Sequence, residues 1–561
     1  MLLEARVASR QGPSTIKKHM ESVQPAPVGG WVSNASIAKE NPLAAEVMEN
    51  FFPTERGVRA RGGSLLFASV GLAPIESLMV YKSGLTEKLF ASMAGGIYDV
   101  SNPASPTATI TPAVTGLTSN EYSYINYATG GGEFLFAVNG TDLHRVYNGT
   151  AWAANVPAIT GVSTANISQV WVHAERIWLV EKGKKVAWYL PVDTLGGAAL
   201  DFSLQGVFRE GGALLFGATW SQDSGDGSDD RCVFVSDQGE VAVYGGDYPG
   251  GTTWNKFGRY DIAKPLGKNA FHKVGGDLLI MTVSGIVALS EVISKDPAAL
   301  NVTAITKYIE PDWKRYALAH SDKPWTFVKW DEKNIGFVSV PSDTTTVTGP
   351  SSLWNTTFTW GSSVWGLSGA TITTPVGTPQ ILAVNLQTGR WSKITGWDAR
   401  SMAVFKGEFV FGTNSGSVHY GDTSGSDNGI SYECRMAYWP SRFDYAGEKQ
   451  FLQVASVFEH STPFLARVSI TTNNRLTWSV APPAPAEADG GALWDVSVWD
   501  GQGVVWDAEG EKRVTYKKWA SLTGRGRVGA LMVQMLFNNQ TTPDVEYTDS
   551  LVTYETVGIV T

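Results

Sequence analysis

The densest cluster of groups able to hold a cation is Asp223, Asp226, Asp229 and Asp230, interleaved with Ser224, Gly225, Gly227 and Ser228. A calcium loop places oxygen ligands at alternate positions and closes on a bidentate Glu. Here the carboxylates are spaced three, three and one apart, with no closing Glu. The run reads as a solvated inter-strand loop, with a metal site as the weaker candidate. The seven histidines are His19, His144, His173, His272, His320, His419 and His460, and none stands in an HExxH or other paired spacing. His173, His272 and His419 fall in or beside apolar, strand-like runs and read as ordinary strand residues. No GxSxG elbow, Walker loop or strand-linked GxGxxG is present. These patterns assign no catalytic and no cofactor-binding residue, and no cofactor is expected. Cys232 and Cys434 are far apart and read as buried, reduced thiols.

One further pattern touches chemistry. Sialidases mark blade turns with S-x-D-x-G-x-T-W, and Gly251–Thr252–Thr253–Trp254 matches its second half. The Asp position of that box holds Pro249, and Asp247 comes two residues early. No arginine triad with a partner acid and Tyr can be picked out, so a propeller glycosidase is the remote alternative. A Trp-rich surface would suit a lectin, but aromatic wedges between sheets account for the same residues.

The elements that carry these residues follow from composition. The 561 residues include 44 Lys+Arg and 53 Asp+Glu, a net charge of −9. Charged residues make up 17%, against about 25% in an ordinary soluble domain. With 43% hydrophobic and 11% aromatic residues the chain has ample material for a core, which excludes disorder. No apolar run approaches the length of a membrane-spanning helix. A pI of 5.4 argues against a basic nucleic-acid reader. The N-terminus lacks a secretory-type apolar core, so folding in a reducing cytosol is the expectation.

From about residue 64 a unit repeats: a strand, a second apolar strand, a Gly-containing turn and a third strand. It recurs at 75–100, 122–147, 167–189, 213–244, 270–289, 325–394 and 401–420. A period of about 40–50 residues built from small antiparallel sheets points to a β-propeller, in which each sheet buries its faces against its neighbours. About seven blades are expected; six stays open, and so does eight if 341–380 hides another. Residues 431–439, 452–458, 465–471 and 530–537 read as longer strands. The division is therefore a flexible N-terminal arm at 1–24, an N-terminal segment at 25–63, a β-propeller at 64–429 and an antiparallel, jelly-roll-like β-sandwich at 430–561. The early strands of that sandwich are candidates to complete the last blade.

Two segments carry a family resemblance. Residues 27–63 contain a Gly29–Gly30–Trp31 start, Asn50–Phe51–Phe52–Pro53 and a close at Arg59–Ala60–Arg61–Gly62–Gly63. Residues 231–290 contain Glu240–Val241–Ala242–Val243–Tyr244, Trp254, the run Tyr260 to Gly267, and Val274–Gly275–Gly276–Asp277–Leu278–Leu279. Both resemble the tail nozzle, or packaged-DNA stabilisation, proteins of short-tailed bacteriophages, of the tail tubular protein B type. The resemblance implies a non-enzymatic virion protein of the phage tail, made in the host bacterial cytoplasm. It implies a homo-oligomeric ring, a hexamer in this family, that continues the portal and adaptor channel. Its partners would be the adaptor or connector protein, a tail fibre or tip (needle) protein, and double-stranded DNA that is retained and then ejected without sequence-specific binding. No small-molecule substrate is implied. A propeller scaffold for fibre attachment or receptor binding is the alternative. The charge fits passage rather than binding: it is +2 over 1–64, −7 over 65–429 and −4 over 430–561, and phosphate is repelled by acid and held by base.

Overall fold

The computed structural model describes residues 18–34, 41–221, 230–295, 300, 304–348, 371–376, 379–472, 476–483, 514–538 and 541–557. The chain forms two compact units. One is Gly63–Gly389 with Lys393–Asn428; the other joins Met1–Gly62, Arg390–Ser392 and Gly429–Thr561.

The first unit is a β-propeller. Its antiparallel sheets, blades 1 to 7, cover 77–114, 123–154, 167–203, 214–261, 271–288, 327–395 and 401–424. Six blades have four strands; blade 5 has three. Each sheet is apolar on both faces, so each must share its core with a neighbour. Leu78, Val80 and Leu89 of blade 1 pack with Ala403, Phe405 and Val410 of blade 7. Met79 and Phe90 pack with Leu135 and Tyr147 of blade 2. Phe136 and Val146 meet Ile177 and Leu179 of blade 3. Trp171 and Trp178 meet Phe234 and Tyr244 of blade 4, and Val233 and Val241 meet Leu278 and Ile280 of blade 5. His272 lies against Phe327 of blade 6 at 5.1 Å, and Phe337 against Phe409 of blade 7 at 4.3 Å. The order of contacts closes a ring.

Blade 7 takes its fourth strand from the start of the propeller. Gly63–Ser69 pairs antiparallel with Ser417–Ser424, Ser69 opposite Ser417 and Ala68 opposite Val418. The expectation that strands after 430 complete the last blade is corrected: a strand ahead of blade 1 does so, and the two ends of the ring share one sheet. The outer strands Pro112–Val114, Trp152–Ala154, Leu200–Ser203 and Asn255–Asp261 are mostly exposed, which is why no apolar alternation announced them. Between 341 and 380 the described residues form one hairpin, Thr344–Thr348 with Thr371–Pro375, and no eighth blade. The α-helices described, Leu289–Ser294 and Glu310–Ala319, both lie in the connection between blades 5 and 6.

The second unit is a two-sheet antiparallel sandwich. One sheet runs Phe51–Pro53, Val58–Ala60, Val545–Val557, Glu448–His460, Val514–Ser521. In the other, Ala45–Glu49, Tyr432–Tyr438, Ala530–Phe537 and Ala466–Thr471 are successive neighbours. The Tyr438 hydroxyl donates to the Pro25 carbonyl at 2.7 Å and lies 3.0 Å from the Tyr547 hydroxyl, bridging the layers. Two boundaries move. Residues 25–62 are not a separate segment but strands of this sandwich. The arm expected over 1–24 ends earlier, because His19–Pro25 pairs with Val545–Val557 along its whole length; residues 1–17 lie outside the described residues.

Arg61 fastens the N-terminal strands to this unit. It is fully buried. Its Nε donates to Asn50 Oδ1 at 2.9 Å and its Nη1 to the Gly62 carbonyl at 2.8 Å. Its guanidinium lies 3.9 Å from the centre of the Tyr432 ring. The Tyr432 hydroxyl returns a bond to the Arg61 carbonyl at 2.7 Å, and Asn50 Nδ2 donates to the Glu433 carbonyl at 2.7 Å. A planar cation suits a stacked, forked site as Lys does not. Arg61→Ala is expected to destabilise the sandwich by about 3 kcal/mol, with Arg61→Lys recovering only part; denaturant unfolding of the full chain measures both. In the propeller, Gly217 sits against the Trp171 ring so closely that a Cβ has no room. Gly217→Val is expected to destabilise by about 1–3 kcal/mol, read as a lower thermal midpoint.

Candidate functional site

The inner strands of the blades leave an axial cavity of about 620 Å³, lined by segments of blades 1, 2, 3, 5, 6 and 7. Several of its polar side chains are engaged with the wall, whereas the buried Tyr122 hydroxyl and Thr326 Oγ1 have no hydrogen-bond partner among the described residues. Gln169 accepts the Gly217 N–H and donates to the Val170 and Gly217 carbonyls, each at 3.1 Å. Asn126 accepts from Lys82 N at 3.1 Å and donates to the Val80 carbonyl at 2.9 Å, tying blade 2 to blade 1. Lys82 pairs with Glu87 at 3.3 Å and Lys329 with Asp331 at 2.5 Å.

Beside this cavity the axis is braced. The strap that leads into blade 5 is held by Leu266 N to the Met281 carbonyl and by Met281 N to the Ala270 carbonyl. Lys268 on that strap donates to the Glu121 carbonyl at 3.1 Å, with the Glu121 carboxylate 3.6 Å away. Glu121 leads into blade 2, three places round the ring. Burial holds the Lys268 ammonium below the usual lysine range, against the pull of Glu121. The Lys268–Glu121 contact links segments of blades three places apart in the ring.

The residues singled out in the sequence are not gathered into one site. Asp223, Asp226 and Asp229 lie outside the described residues. Asp230 accepts a hydrogen bond from the Ser221 hydroxyl. Among the described residues no three His, Cys, Asp or Glu side chains are arranged to hold a metal ion. Trp254 of the half-matched box stacks on Tyr244 at 5.2 Å and on Trp178 at 5.6 Å, inside the aromatic core. Cys232 and Cys434 are buried, and the Cys434 thiol donates to the Asn50 carbonyl at 3.1 Å. His173 has both ring nitrogens engaged, 3.1 Å from Thr219 Oγ1 and 3.0 Å from the Gly246 carbonyl, whereas His144 Nε2 and His419 Nδ1 are buried without a hydrogen-bond partner among the described residues. His144 stacks on Phe136 at 5.0 Å and meets Thr164 Oγ1 at 3.1 Å. His419 stacks on Phe411 at 5.5 Å and lies 2.9 Å from Ser417 Oγ.

Two residues named in the sequence only as parts of motifs prove to be polar centres. Arg61 is one. The other is Glu240, whose carboxylate is buried yet accepts Arg209 N at 2.7 Å and Glu210 N at 2.9 Å and pairs with Arg259. Burial alone would raise its pKa; these donors outweigh it and hold it below the usual range. The partners lie about 20–30 residues away, so no local spacing signals them.

No family model matches the chain, and no curated protein sequence matches it. Solved structures similar in fold include one titled "YCF48 bound to D1 peptide", with 10% identity and a TM-score of 0.32 over 64% of this chain and 94% of that one. Another is a BBS1N–ARL6DN complex soaked with mercury, with 10% identity and a TM-score of 0.24 over 38% of this chain. The chain spans 62% of that protein's length. At these values each is a likeness of fold alone.

Burial pushes His144, His272 and His419 down to about 4 from 6.5. Above 6.5 these rings are neutral folded or unfolded. Between 6.5 and 4 the unfolded chain binds protons that the folded chain refuses, so stability falls as pH falls. The loss is of order 1–3 kcal/mol per histidine and is complete below about pH 4. Thermal midpoints from pH 7 to 4 should show this slope, and His144→Gln with His419→Gln should flatten it; an unchanged slope refutes the assignment.

Proposed function

We propose that the chain is the tail nozzle subunit of a short-tailed phage. Copies form a ring, a hexamer in the family it resembles, that extends the connector channel, retains packaged DNA and conducts it on ejection. The adaptor ring lies above it, and a fibre or tip protein docks below. The observation that carries this reading is the place of the shared motif residues in the fold. Asn50 and Arg61, from the two most recognisable motifs, form the buried fastening of the sandwich. The run Tyr260 to Gly267 leads into the strap that braces the axis, and Val274 to Asp277 forms a hairpin turn of blade 5. The resemblance thus falls on residues that determine architecture, not on an interchangeable loop. The acidic balance supports the same reading, because a wall of mixed or negative charge does not hold phosphate.

In this reading DNA passes through the ring of subunits and not through any one propeller, since Lys268 and Glu121 span the axis. Immunogold labelling of particles with antibody to the chain tests it. Label at the tail, and rings with an open centre in micrographs of the assembled protein, are expected. Unlabelled particles, or turnover of a polysaccharide by the purified chain that one carboxylate substitution abolishes, would overturn it.

A further inference from the structure

The chain contains three Asn–Gly pairs: Asn139–Gly140, Asn148–Gly149 and Asn428–Gly429. In such a pair the glycine nitrogen has no side chain to shield it and can attack the asparagine carboxamide. The same residue follows each asparagine, so the fold sets the three apart.

Two of them are held. Asn139 is buried. Its Oδ1 accepts from Thr141 N at 3.1 Å and Asp142 N at 2.8 Å, and its Nδ2 donates to the Ser119 carbonyl at 2.8 Å and to Asp142 Oδ2 at 2.7 Å. Asn148 is exposed, but its Oδ1 accepts from Thr150 N at 3.0 Å and Ala151 N at 2.8 Å. In both turns the side chain stands in for a backbone partner. Neither carboxamide swings without breaking those bonds.

Asn428 differs. It is exposed, and among the described residues its side chain makes no hydrogen bond. Its φ is 51°, and Gly429 follows at 83°. Asparagine tolerates this left-handed region better than most residues but still gains by leaving it. Ile430, next along, is 70% exposed, so little packing resists the rotation that carries the side chain over the Gly429 nitrogen.

We propose that Asn428–Gly429 is a site of spontaneous succinimide formation, and that Asn139 and Asn148 are protected from the same reaction. The Gly429 nitrogen loses its proton and bonds to Asn428 Cγ. The Cγ–Nδ2 bond breaks, and ammonia leaves with that proton. Water then opens the ring at either carbonyl, giving aspartate or, with the main chain routed through Cβ and Cγ, isoaspartate. Water enters, ammonia leaves, and nothing is oxidised or reduced. Either product sets a new carboxylate beside Asp427, whose Oδ1 accepts from Ser64 N at 3.0 Å and Trp397 Nε1 at 2.9 Å. The Asn428 N–H donates to the Ser64 carbonyl at 2.7 Å. Ser64 belongs to Gly63–Ser69, the strand that closes the propeller, so the change is a one-way loosening of that closure. The inference is independent of the nozzle reading.

Incubation of the full chain in mildly alkaline buffer tests it, with the three peptides followed by mass spectrometry and the β-linked product by an isoaspartate methyltransferase assay. In the folded chain Asn428 should convert at least about tenfold faster than Asn139 or Asn148, the factor set by breaking two hydrogen bonds. In denaturant the three should convert at similar rates. Asn428→Gln should remove the conversion, and its thermal midpoint should hold on ageing while that of the unaltered chain falls. Conversion of Asn139 or Asn148 in the folded chain as fast as Asn428 overturns the proposal. So does an Asn428 peptide that stays intact in the folded chain while the denatured chain converts. An unchanged midpoint after full conversion overturns the link to ring closure.

Discussion

The architecture depends on a closure constraint. A blade of three or four short strands has two apolar faces and cannot cover them alone. Each blade here shares its core with the next, from the Trp171–Phe234 contact to the Phe337–Phe409 contact. An open array would leave two end faces wet. Pairing Gly63–Ser69 with Ser417–Ser424 removes the ends by placing the first and last strands of the propeller in one sheet. The constraint is non-local, as about 350 residues separate the partners, and loop-closure entropy opposes it only weakly at such lengths. Two residues before this strand stands Arg61, whose side chain is fastened to Asn50 and the Gly62 carbonyl.

The sequence revealed whichever features obeyed a local period. The second strand, Gly turn and third strand of each blade recur at regular spacing because they lie in the buried middle of the sheet. Glu408–Gly412 and Ser417–Ser424 of blade 7 fall where 408–412 and 417–420 were expected. The outer strands are short and half exposed, each sending only one or two side chains such as Val114, Trp152 and Phe202 to a core, and carry no period. His19–Pro25 escaped notice for the opposite reason. Its alternation is inverted, with Ser22 and Gln24 inward and Val23 outward, and a pattern of buried small polar residues reads as coil. Ala530–Phe537 was legible because it is apolar almost throughout, and Tyr432–Tyr438 because Glu433 and Arg435 alternate with buried residues. Their join to residues before 62 was not, because it is a strand pairing, Ala45–Glu49 with Tyr432–Tyr438, between segments far apart in the chain.

The candidate site was less legible than the fold, for a physical reason. Polar groups in a packed ring must find partners, and the cavity wall uses them in that way. Gln169, Asn126, Lys82 and Lys329 bind neighbouring strands or nearby carboxylates. His173 bonds through both ring nitrogens, and His144 and His419 through one each. A residue type that suggests chemistry in a linear sequence therefore became a brace once the strands were paired. Only distance in space distinguishes the two roles, and a one-dimensional spacing does not encode it.

The braced axis bears on how such a chain would serve as a conduit. A propeller tied across its axis by Lys268 and Glu121 is a rigid block. Its rigidity comes from aromatic wedges such as Trp178, fully buried among Tyr189, Phe234 and Trp254. A block of that kind suits a wall that must keep its shape while charged polymer moves past. Walls need joints, and the sandwich rather than the propeller supplies the open strand edges. The blades share cores around a closed ring, which leaves little backbone to offer, whereas His19–Pro25 and Val514–Ser521 each present an unpaired side among the described residues. The division follows from topology: the blades share their cores around a closed ring, and the sandwich sheet ends in strands with an unpaired side among the described residues.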